Sequence, residues 1–189
     1  MKWGVRKDRY TNNPNTIYKN AIKNEPRITR DVSSSVIKNG CQLHGLNNRL
    51  KTVKSITRKA KTKQVKDAVR YTAILSEDNF VKEYENIKKD LSKKGYKEIR
   101  CKNYFEEYKK GNANHKSVQC NYKTRDGYIF EIQYQTKSSQ KAKDKKVPLY
   151  EEVRNPNITT KRKGEIIAEM SLLAEQVKDP DDISKIKSH

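Results

Sequence analysis

The residues best suited to chemistry lie in a basic segment, residues 48–63, whose centre reads Arg-Leu-Lys-Thr-Val-Lys-Ser-Ile-Thr-Arg-Lys. If this segment is a helix, three- and four-residue spacing places Lys51, Ser55 and the pair Arg58 and Lys59 on one face. Several cations and a hydroxyl held on one rigid element suit a polyphosphate. The same pattern is also typical of a solvated basic helix, and the spacing leaves both interpretations open.

A second candidate region is residues 128–136, whose alternating pattern predicts a β-strand. One face carries aromatic and apolar side chains: Tyr128, Phe130, Ile132 and Tyr134. The opposite face carries Ile129 and three polar side chains: Glu131, Gln133 and Gln135. A carboxylate and two amides on a central strand need water or a ligand, because burying an unpaired polar group is costly. Residues 117–122 and a turn at 125–127 complete a predicted hairpin.

The composition points to a phosphate-bearing partner. The chain has 189 residues, 33% of them hydrophobic, and 43 Lys+Arg against 23 Asp+Glu give a formal charge of +20. Such a surplus attracts nucleotides, nucleic acids or anionic membranes. Neither a spanning apolar run nor an apolar secretory segment is visible, so we expect a soluble, cytoplasmic protein without a membrane partner.

The cysteines and histidines do not have the spacing of a metal-binding or disulfide framework. The three cysteines, an odd number, lack the CxxC spacing and predict buried thiols in a reducing compartment. The three histidines are scattered, so we expect no zinc.

The elements that must position these residues alternate between helices and strands. Helices are predicted at residues 28–38, 48–63, 77–93 and 160–178, and strands at residues 69–75, 96–104, 117–122 and 128–136. Residues 105–115 are predicted to be irregular, and residues 137–146 to form a basic loop. The expected division is an N-terminal arm (1–26), one domain (27–180) and a frayed tail (181–189). Within the arm, the segments around Pro14 and Pro26 are predicted to break regular structure.

Together these pieces resemble the synthetase domain of RelA/SpoT-type alarmone synthetases, which are nucleotide pyrophosphokinases. Residues 49–59 match the family's Arg-x-Lys-x-x-x-Ser-Ile-x-Arg-Lys segment, and residues 131–136 match Glu-x-Gln-x-x-Thr. Between them lie Asp-Ala-Val-Arg at 67–70, Gly-Tyr at 95–96 and Lys-Asn-Tyr at 102–104. The resemblance implies an α/β (α+β) fold of the nucleotidyltransferase-like kind. Its sheet would be mixed, mainly antiparallel, with about five strands flanked by helices.

The sequence departs from the family pattern at two places. The family's metal-binding aspartate stands five residues before the arginine, where this chain has Val65, and the nearest acid is Asp67. The family's Asn-Gly-Tyr-x-Ser-x-His loop appears only loosely, at residues 110–115. Residues 2–6 and 149–154 also look like stretches of bacteriophage head proteins, so a small phage- or toxin-associated form is expected.

The resemblance implies transfer of the β,γ-pyrophosphate of ATP to a ribose 3′-hydroxyl. Its implied ATP-binding residues are Arg49, Lys51, Ser55, Arg58, Lys59 and Arg70. The implied acceptor-binding residues are Lys102, Asn103, Tyr104, Asn112 and His115. Asp67 and Glu131 would hold Mg²⁺, the expected cofactor, and Glu131 and Gln133 would be catalytic. Five other roles stay open: a cross-strand lysine partner for Glu131, an ordinary exposed strand amide for Gln133, a carboxylate partner for Arg70, simple packing for Tyr104 and a surface position for His115.

Two classes of function remain open at this stage. In the first, the chain is a Mg²⁺-dependent pyrophosphokinase that modifies GDP, GTP, an adenine nucleotide or a tRNA 3′ end. Such an enzyme could act as a toxin or effector, with an antitoxin or a phage protein as partner. In the second, it is a catalytically degenerate nucleic-acid-binding or phage-structural module of the same fold. The position of Asp67 favours this second class.

Overall fold

The computed structural model describes residues 11–111, 113 and 115–189. Its centre is a sheet of five strands: β1 (Gln42–His44), β2 (Arg70–Leu75), β3 (Lys97–Asn103), β4 (Val118–Lys123) and β5 (Ile129–Thr136). The spatial order is β1-β2-β5-β4-β3. Only the central β2–β5 pair is parallel, and the other three pairs are antiparallel. The predicted fold class, a mixed and mainly antiparallel sheet with flanking helices, is confirmed.

The described part of the chain forms six α-helices around the sheet: α1 (Pro14–Lys38), α2 (Val53–Ala60), α3 (Phe80–Lys93), α4 (Tyr104–Lys109), α5 (Lys137–Val153) and α6 (Thr160–Glu175). Short 3₁₀ turns occur at Leu46–Asn48 and Ile183–Lys185. Within the described residues, no helix is both long and apolar enough to cross a membrane.

Helix α1 is much longer than the predicted helix at 28–38, and it crosses the expected boundary at residue 26. The Asn13 side chain caps its first turn, and Pro14 stands at the start, where a missing N–H costs nothing. Pro26 lies inside the helix, so the breaker assigned to it in the sequence does not end the element. Residues 14–26 therefore belong to a helix of the domain. Residues 1–10, the rest of the predicted arm, lie outside the described residues.

The main core lies between one face of the sheet and helices α1 and α3. Alternation on β5 places Phe130, Ile132 and Tyr134 on this face, as predicted, and all three are fully buried. Tyr71 of β2 packs edge-on against Phe130, and Tyr84 of α3 packs edge-on against Tyr134. This aromatic layer packs the sheet against the helices, so the opposite face can carry polar side chains.

The predicted basic loop at 137–146 is wrong, because these residues form the first part of α5. The Thr136 and Ser139 side chains make a reciprocal capping box at its start. Helix α6 packs against α5 around a second, smaller cluster of Leu149, Ile166 and Met170. Residues 105–115, predicted to be irregular, begin with the short helix α4.

The expected fraying of residues 181–189 is also wrong. Ile183 and Ile186 are buried in the main core. His189 pairs with Cys101 of β3 through two backbone hydrogen bonds, of 2.9 and 3.0 Å. The segment is therefore part of the packed domain.

Candidate functional site

The strand register gathers polar side chains on the sheet face opposite the aromatic core. Arg70 of β2 lies beside Glu131 of β5, and on its other side Glu131 faces Asn121 of β4. Gln133 likewise lies between Thr72 and Gln119. Paired residues in a sheet project to the same face, so these positions form one polar surface. The predicted polar face of residues 131–135 is confirmed.

The basic segment reaches this surface, although only part of it is helical. Lys51 precedes α2 in an extended stretch, where its backbone N–H donates to the carbonyl of Ala68 at 3.0 Å. The Thr52 side chain then caps α2, which carries Lys59 in its last turn. The single helical face predicted for Lys51 and Lys59 is therefore wrong, because strand-like pairing positions Lys51. Both lysines nevertheless converge on one carboxylate.

That carboxylate is Asp67, which is buried. Lys51 Nζ lies 2.9 Å from one of its oxygens, and Lys59 Nζ lies 2.8 Å from the other. Burial alone would raise the pKa of Asp67, but hydrogen bonds and charge from Lys59 and Lys51 hold it below its usual value. Asp67 therefore remains ionised between two cations.

Glu131 has the opposite environment. Its side chain is buried, and the amide of Gln133 donates to it at 2.7 Å. Burial raises the pKa of Glu131, and the negative charge of Asp67 raises it further. A carboxylate with a raised pKa is a better proton acceptor, so Glu131 is suited to act as a general base.

The pair of carboxylates fits a magnesium ion. Two buried acids whose charges interact are relieved when a divalent cation lies between them. Mg²⁺ prefers one or two carboxylates, with phosphate oxygens and water completing the shell. Asp67 and Glu131 supply such a donor set. The side chain of Asp67 is close enough to Glu131 for their charges to interact, although Val65 stands at the family's usual metal position.

Two further lysines approach the polar surface from α5, and sequence reasoning missed them. Lys143 Nζ donates to the Gln133 side-chain carbonyl at 2.9 Å, and burial is the main cause that lowers the pKa of Lys143 to about 8. Lys146 is also buried, and burial lowers its pKa to about 8. The spacing Ser139, Lys143, Lys146 after a Thr-x-x-Ser cap was a helical signal that could have indicated one inward face.

These lysines line a cavity of about 170 Å³ between the polar face and helices α5 and α6. Its other polar walls include Gln119, Gln133 and His115. The cavity reaches Gln133, whose amide donates to Glu131, so it is a candidate ligand-binding cavity next to that carboxylate.

The structure separates the predicted acceptor-binding residues into a group around the Tyr104 ring and Asn103, whose side chain serves the fold. Lys102 lies over the Tyr104 ring at 5.7 Å, and His115 packs on the same ring at 4.3 Å between centroids. Burial lowers the pKa of His115 to about 4. These three residues form a group near the cavity. His115 therefore belongs to this group and does not contradict the predicted acceptor role.

Asn103 does not fit that role. Its side chain is buried, its amide donates to the carbonyls of Ile183 and Ile186, and its oxygen caps α4. All its hydrogen-bonding capacity serves the fold, so the acceptor-binding prediction for Asn103 is wrong. Asn112 lies outside the described residues.

The remaining predicted ATP-binding residues have mixed surroundings. Arg49 forms an ion pair with Glu25 of α1, where Thr29 also donates to Glu25. Ser55 accepts a hydrogen bond from the Thr52 hydroxyl at 3.1 Å, and Arg58 is exposed on α2. Of the basic segment, the structure brings Lys51 and Lys59 directly to Asp67, and phosphate contacts of all the predicted ATP-binding residues stay predictions.

Comparison with known proteins defines the class of fold. No protein-family model matches the sequence, and no curated protein matches it significantly. The structure is similar to small alarmone synthetase 2 from Bacillus subtilis, with a TM-score of 0.57 at 17% identity, over 87% of this chain and 91% of that one. It is also similar to B. subtilis small alarmone synthetase 1 bound to its product pppGpp, with a TM-score of 0.54 at 17% identity, over 84% and 86% of the chains.

A third similar structure is the Type VI effector Tas1 in complex with its immunity protein, with a TM-score of 0.52 at 16% identity, over 85% and 94% of the chains. The chain therefore has the fold of the small alarmone synthetases. The resemblance found in the sequence, to the RelA/SpoT-type synthetase domain, is confirmed at the level of the fold.

Proposed function

We propose that this protein is an ATP-dependent pyrophosphokinase. The observation that carries the proposal is the convergence of Lys51, Lys59, Asp67 and Glu131 at one end of the polar sheet face. Cations from an early segment and a carboxylate from a late strand meet there, which is the arrangement that a triphosphate and an attacking hydroxyl both require.

In this proposal Lys51 and Lys59 bind phosphate oxygens of ATP, in exchange for part of their present contact with Asp67. Arg70, beside Glu131 in the register, adds a third positive charge toward the transferred group. The three cations together neutralise charge on the phosphates as the bond to the leaving group breaks.

Glu131 accepts the proton of the acceptor's ribose 3′-hydroxyl, and the hydroxyl oxygen bonds to the β-phosphorus. The bond from that phosphorus to the α,β-bridging oxygen breaks, and AMP leaves. Gln133 fixes the Glu131 carboxylate through its hydrogen bond, and Lys143 in turn fixes Gln133. Both act as positioning residues.

Asp67 and Glu131 are the residues that would hold Mg²⁺. When bound, the ion would neutralise phosphate charge and relieve the repulsion between the two carboxylates.

The acceptor is proposed to be a purine nucleotide (GDP, GTP or an adenine nucleotide) or the 3′ end of a tRNA. The group of Lys102, Tyr104 and His115 supports a base-stacking site, since bases stack readily on aromatic rings. The +20 charge supports a tRNA acceptor through phosphate contacts. A toxin role with an antitoxin partner is a further proposal, supported by the fold shared with Tas1.

Release of AMP tests the proposed activity. The protein is incubated with Mg²⁺, ATP labelled on the γ-phosphate, and either a purine nucleotide or tRNA. We expect AMP to form and one acceptor to gain label. Glu131→Gln is expected to reduce turnover about 10²–10⁴-fold, the usual contribution of a general base. Glu165→Gln is the matched control, because this exposed residue of α6 pairs with Arg162 and lies outside the proposed site.

The second candidate is a nucleic-acid-binding module without catalysis. The observation that favours it is the double pairing of Asp67, which occupies two cations that a triphosphate would need. No AMP with any acceptor, together with nucleic-acid binding that weakens steeply with salt, would support this candidate and contradict the first. Unchanged turnover in Glu131→Gln would contradict the assigned base alone.

A further inference from the structure

A cluster of soft metal ligands lies on the helix-covered face of the sheet, away from the polar surface. Cys101 of β3 and Cys120 of β4 are directly opposite each other and fully buried. Cys101 exchanges its backbone hydrogen bonds with His189, so the cysteines form a narrow, non-hydrogen-bonded pair. Their sulfurs consequently lie 3.3 Å apart and carry no disulfide.

Glu98, also on β3, adds a carboxylate oxygen to the two sulfurs. The three ligand atoms lie within 4.8 Å of one another. The hydroxyls of Tyr84 and Tyr122 donate to this carboxylate at 3.0 and 2.9 Å, which orients it toward the sulfurs. Partners of this kind typically hold the ligands of metal sites in place.

His189 brings a fourth donor to the same place. Its two backbone hydrogen bonds with Cys101 make the residues direct neighbours, so their side chains project to the same face. The Nε2 atom of His189 lies 3.6 Å from a Glu98 oxygen. Cys120, Cys101 and His189 thus form one row across adjacent backbone segments, with Glu98 beside it.

We propose that Cys101, Cys120, Glu98 and His189 form a structural zinc site. Zinc prefers four tetrahedral ligands of sulfur and nitrogen, with carboxylate oxygen as an accepted substitute. Around an ion with Zn–S distances of about 2.3 Å, two sulfurs lie somewhat under 4 Å apart. The observed 3.3 Å separation of the sulfurs therefore needs only a small opening.

Charge and access are consistent with this site. Two thiolates and a carboxylate carry one more negative charge than Zn²⁺ neutralises, and Lys88, 3.1 Å from Glu98, supplies the balancing positive charge. Glu98, His189 and Lys88 also line an open surface cavity of about 800 Å³, which gives an ion a route to the buried sulfurs. Binding would release the thiol protons and connect β3, β4 and the final segment.

Cobalt substitution tests the site directly. Reduced, metal-free full-length protein is titrated with Co²⁺ and then with Zn²⁺. We expect a thiolate-to-cobalt charge-transfer band that saturates at one equivalent and is abolished by Zn²⁺. Cys101→Ser and Cys120→Ser should each lose the band. Cys41→Ser is the matched control and should retain it, because Cys41 is also a buried free thiol but contacts Glu83.

Two less invasive variants keep the test decisive if a serine variant fails to fold. Glu98→Gln and His189→Ala should weaken Zn²⁺ binding measurably while circular dichroism shows an unchanged fold. Zn²⁺ should raise the Tm of the wild-type protein and of Cys41→Ser, and a chelator should reverse the rise.

Three results would overturn the proposal. One is the absence of stoichiometric Zn²⁺ or Co²⁺ binding by folded protein whose three thiols, counted after denaturation of a matched sample, are all reduced. Another is a charge-transfer band that survives in a folded Cys101→Ser variant or disappears in Cys41→Ser. The third is a Cys101–Cys120 disulfide in air-exposed protein together with no metal binding after reduction, which would make the two cysteines a redox pair instead.

Discussion

Replacing Asp67 by Asn tests the electrostatic design of the proposed site. The Asp67 side chain is 7% exposed, and its partners Lys51 and Lys59 are 19% and 34% exposed. Breaking a fully buried ion pair costs about 3–5 kcal/mol, whereas exposed pairs contribute about 0–1 kcal/mol. The partial exposure of both lysines and the lost repulsion with Glu131 both reduce the cost. We therefore expect a loss of about 1–2 kcal/mol.

For a chain of this size such a loss lowers the Tm by about 2–8 °C. The lowered pKa of Asp67 means that its stabilisation is present above its unfolded value, near the reference of 3.8, and disappears as the pH falls through the folded value. The difference in Tm between wild type and Asp67→Asn should therefore shrink in acid. Asp90→Asn is the matched control for turnover, because Asp90 of α3 pairs with Lys38 of α1 and lies outside the proposed site.

Titration and turnover give two further, independent measurements. The charge of Asp67 helps to raise the pKa of Glu131, so in metal-free protein Asp67→Asn should move the ¹³C NMR titration of the Glu131 carboxyl to lower pH. With Mg²⁺ and ATP present, turnover at its optimum should fall about 10²–10³-fold, as for loss of one preorganised group that stabilises charge. An unmoved Glu131 titration would refute the assigned coupling of the two acids.

Three further predictions concern the surroundings of the site. Wild-type activity should fall above about pH 8 as Lys143 loses its proton, and Lys143→Met should abolish this alkaline fall in the pH–activity profile. If the fall persists in the variant, another group causes it. Tyr104→Ala should raise the KM for the acceptor about 10–100-fold in steady-state assays and leave the KM for ATP unchanged, because base stacking contributes about 1–3 kcal/mol. Equal changes in both KM values would contradict a role of Tyr104 in acceptor stacking. Glu25→Gln should lower the Tm by a few degrees in a thermal melt, because Arg49 loses its charged partner, and an unchanged Tm would show that this ion pair does not stabilise the fold.

The sequence predicted secondary structure correctly where the apolar residues followed one clear periodicity. The alternation of residues 128–136 predicted both faces of β5, and the apolar spacing of residues 80–91 predicted α3. The mixed, mainly antiparallel character of the sheet was implied by the family resemblance, whereas the order of its strands was not predicted and comes from the structure. A single sequence contains no direct signal for which strands are neighbours.

The errors arose where tertiary packing outweighed composition. Residues 137–146 contain five lysines, a composition typical of a solvated loop, but the Thr136 cap, the hydrogen bond of Lys143 to Gln133 and the burial of Lys146 stabilise a helix. Pro26 is a residue type that breaks helices, yet α1 continues through it because the surrounding residues pack on the core. Charge and proline content are properties of the segment alone, whereas the burial of its side chains depends on the elements that pack against it.

The proposed zinc site also could not be predicted from the sequence, because its ligands are far apart along the chain. Cys101 and Cys120 are 19 positions apart, and His189 is still further along the chain. No linear motif links them, and the sequence therefore led us to expect no zinc. Strand pairing between β3 and β4, and backbone pairing of His189 with Cys101, bring all three to one row.

Asp67 in the proposed site lies two positions after Val65, where the family has its aspartate. It precedes β2, which begins at Arg70, so strand periodicity does not set the direction of its side chain. The structure nevertheless places the Asp67 charge where it raises the pKa of Glu131, and it holds the carboxylate between Lys51 and Lys59. A metal ion or a triphosphate must therefore compete with two lysines for this carboxylate, so phosphate binding and release of Asp67 should occur together.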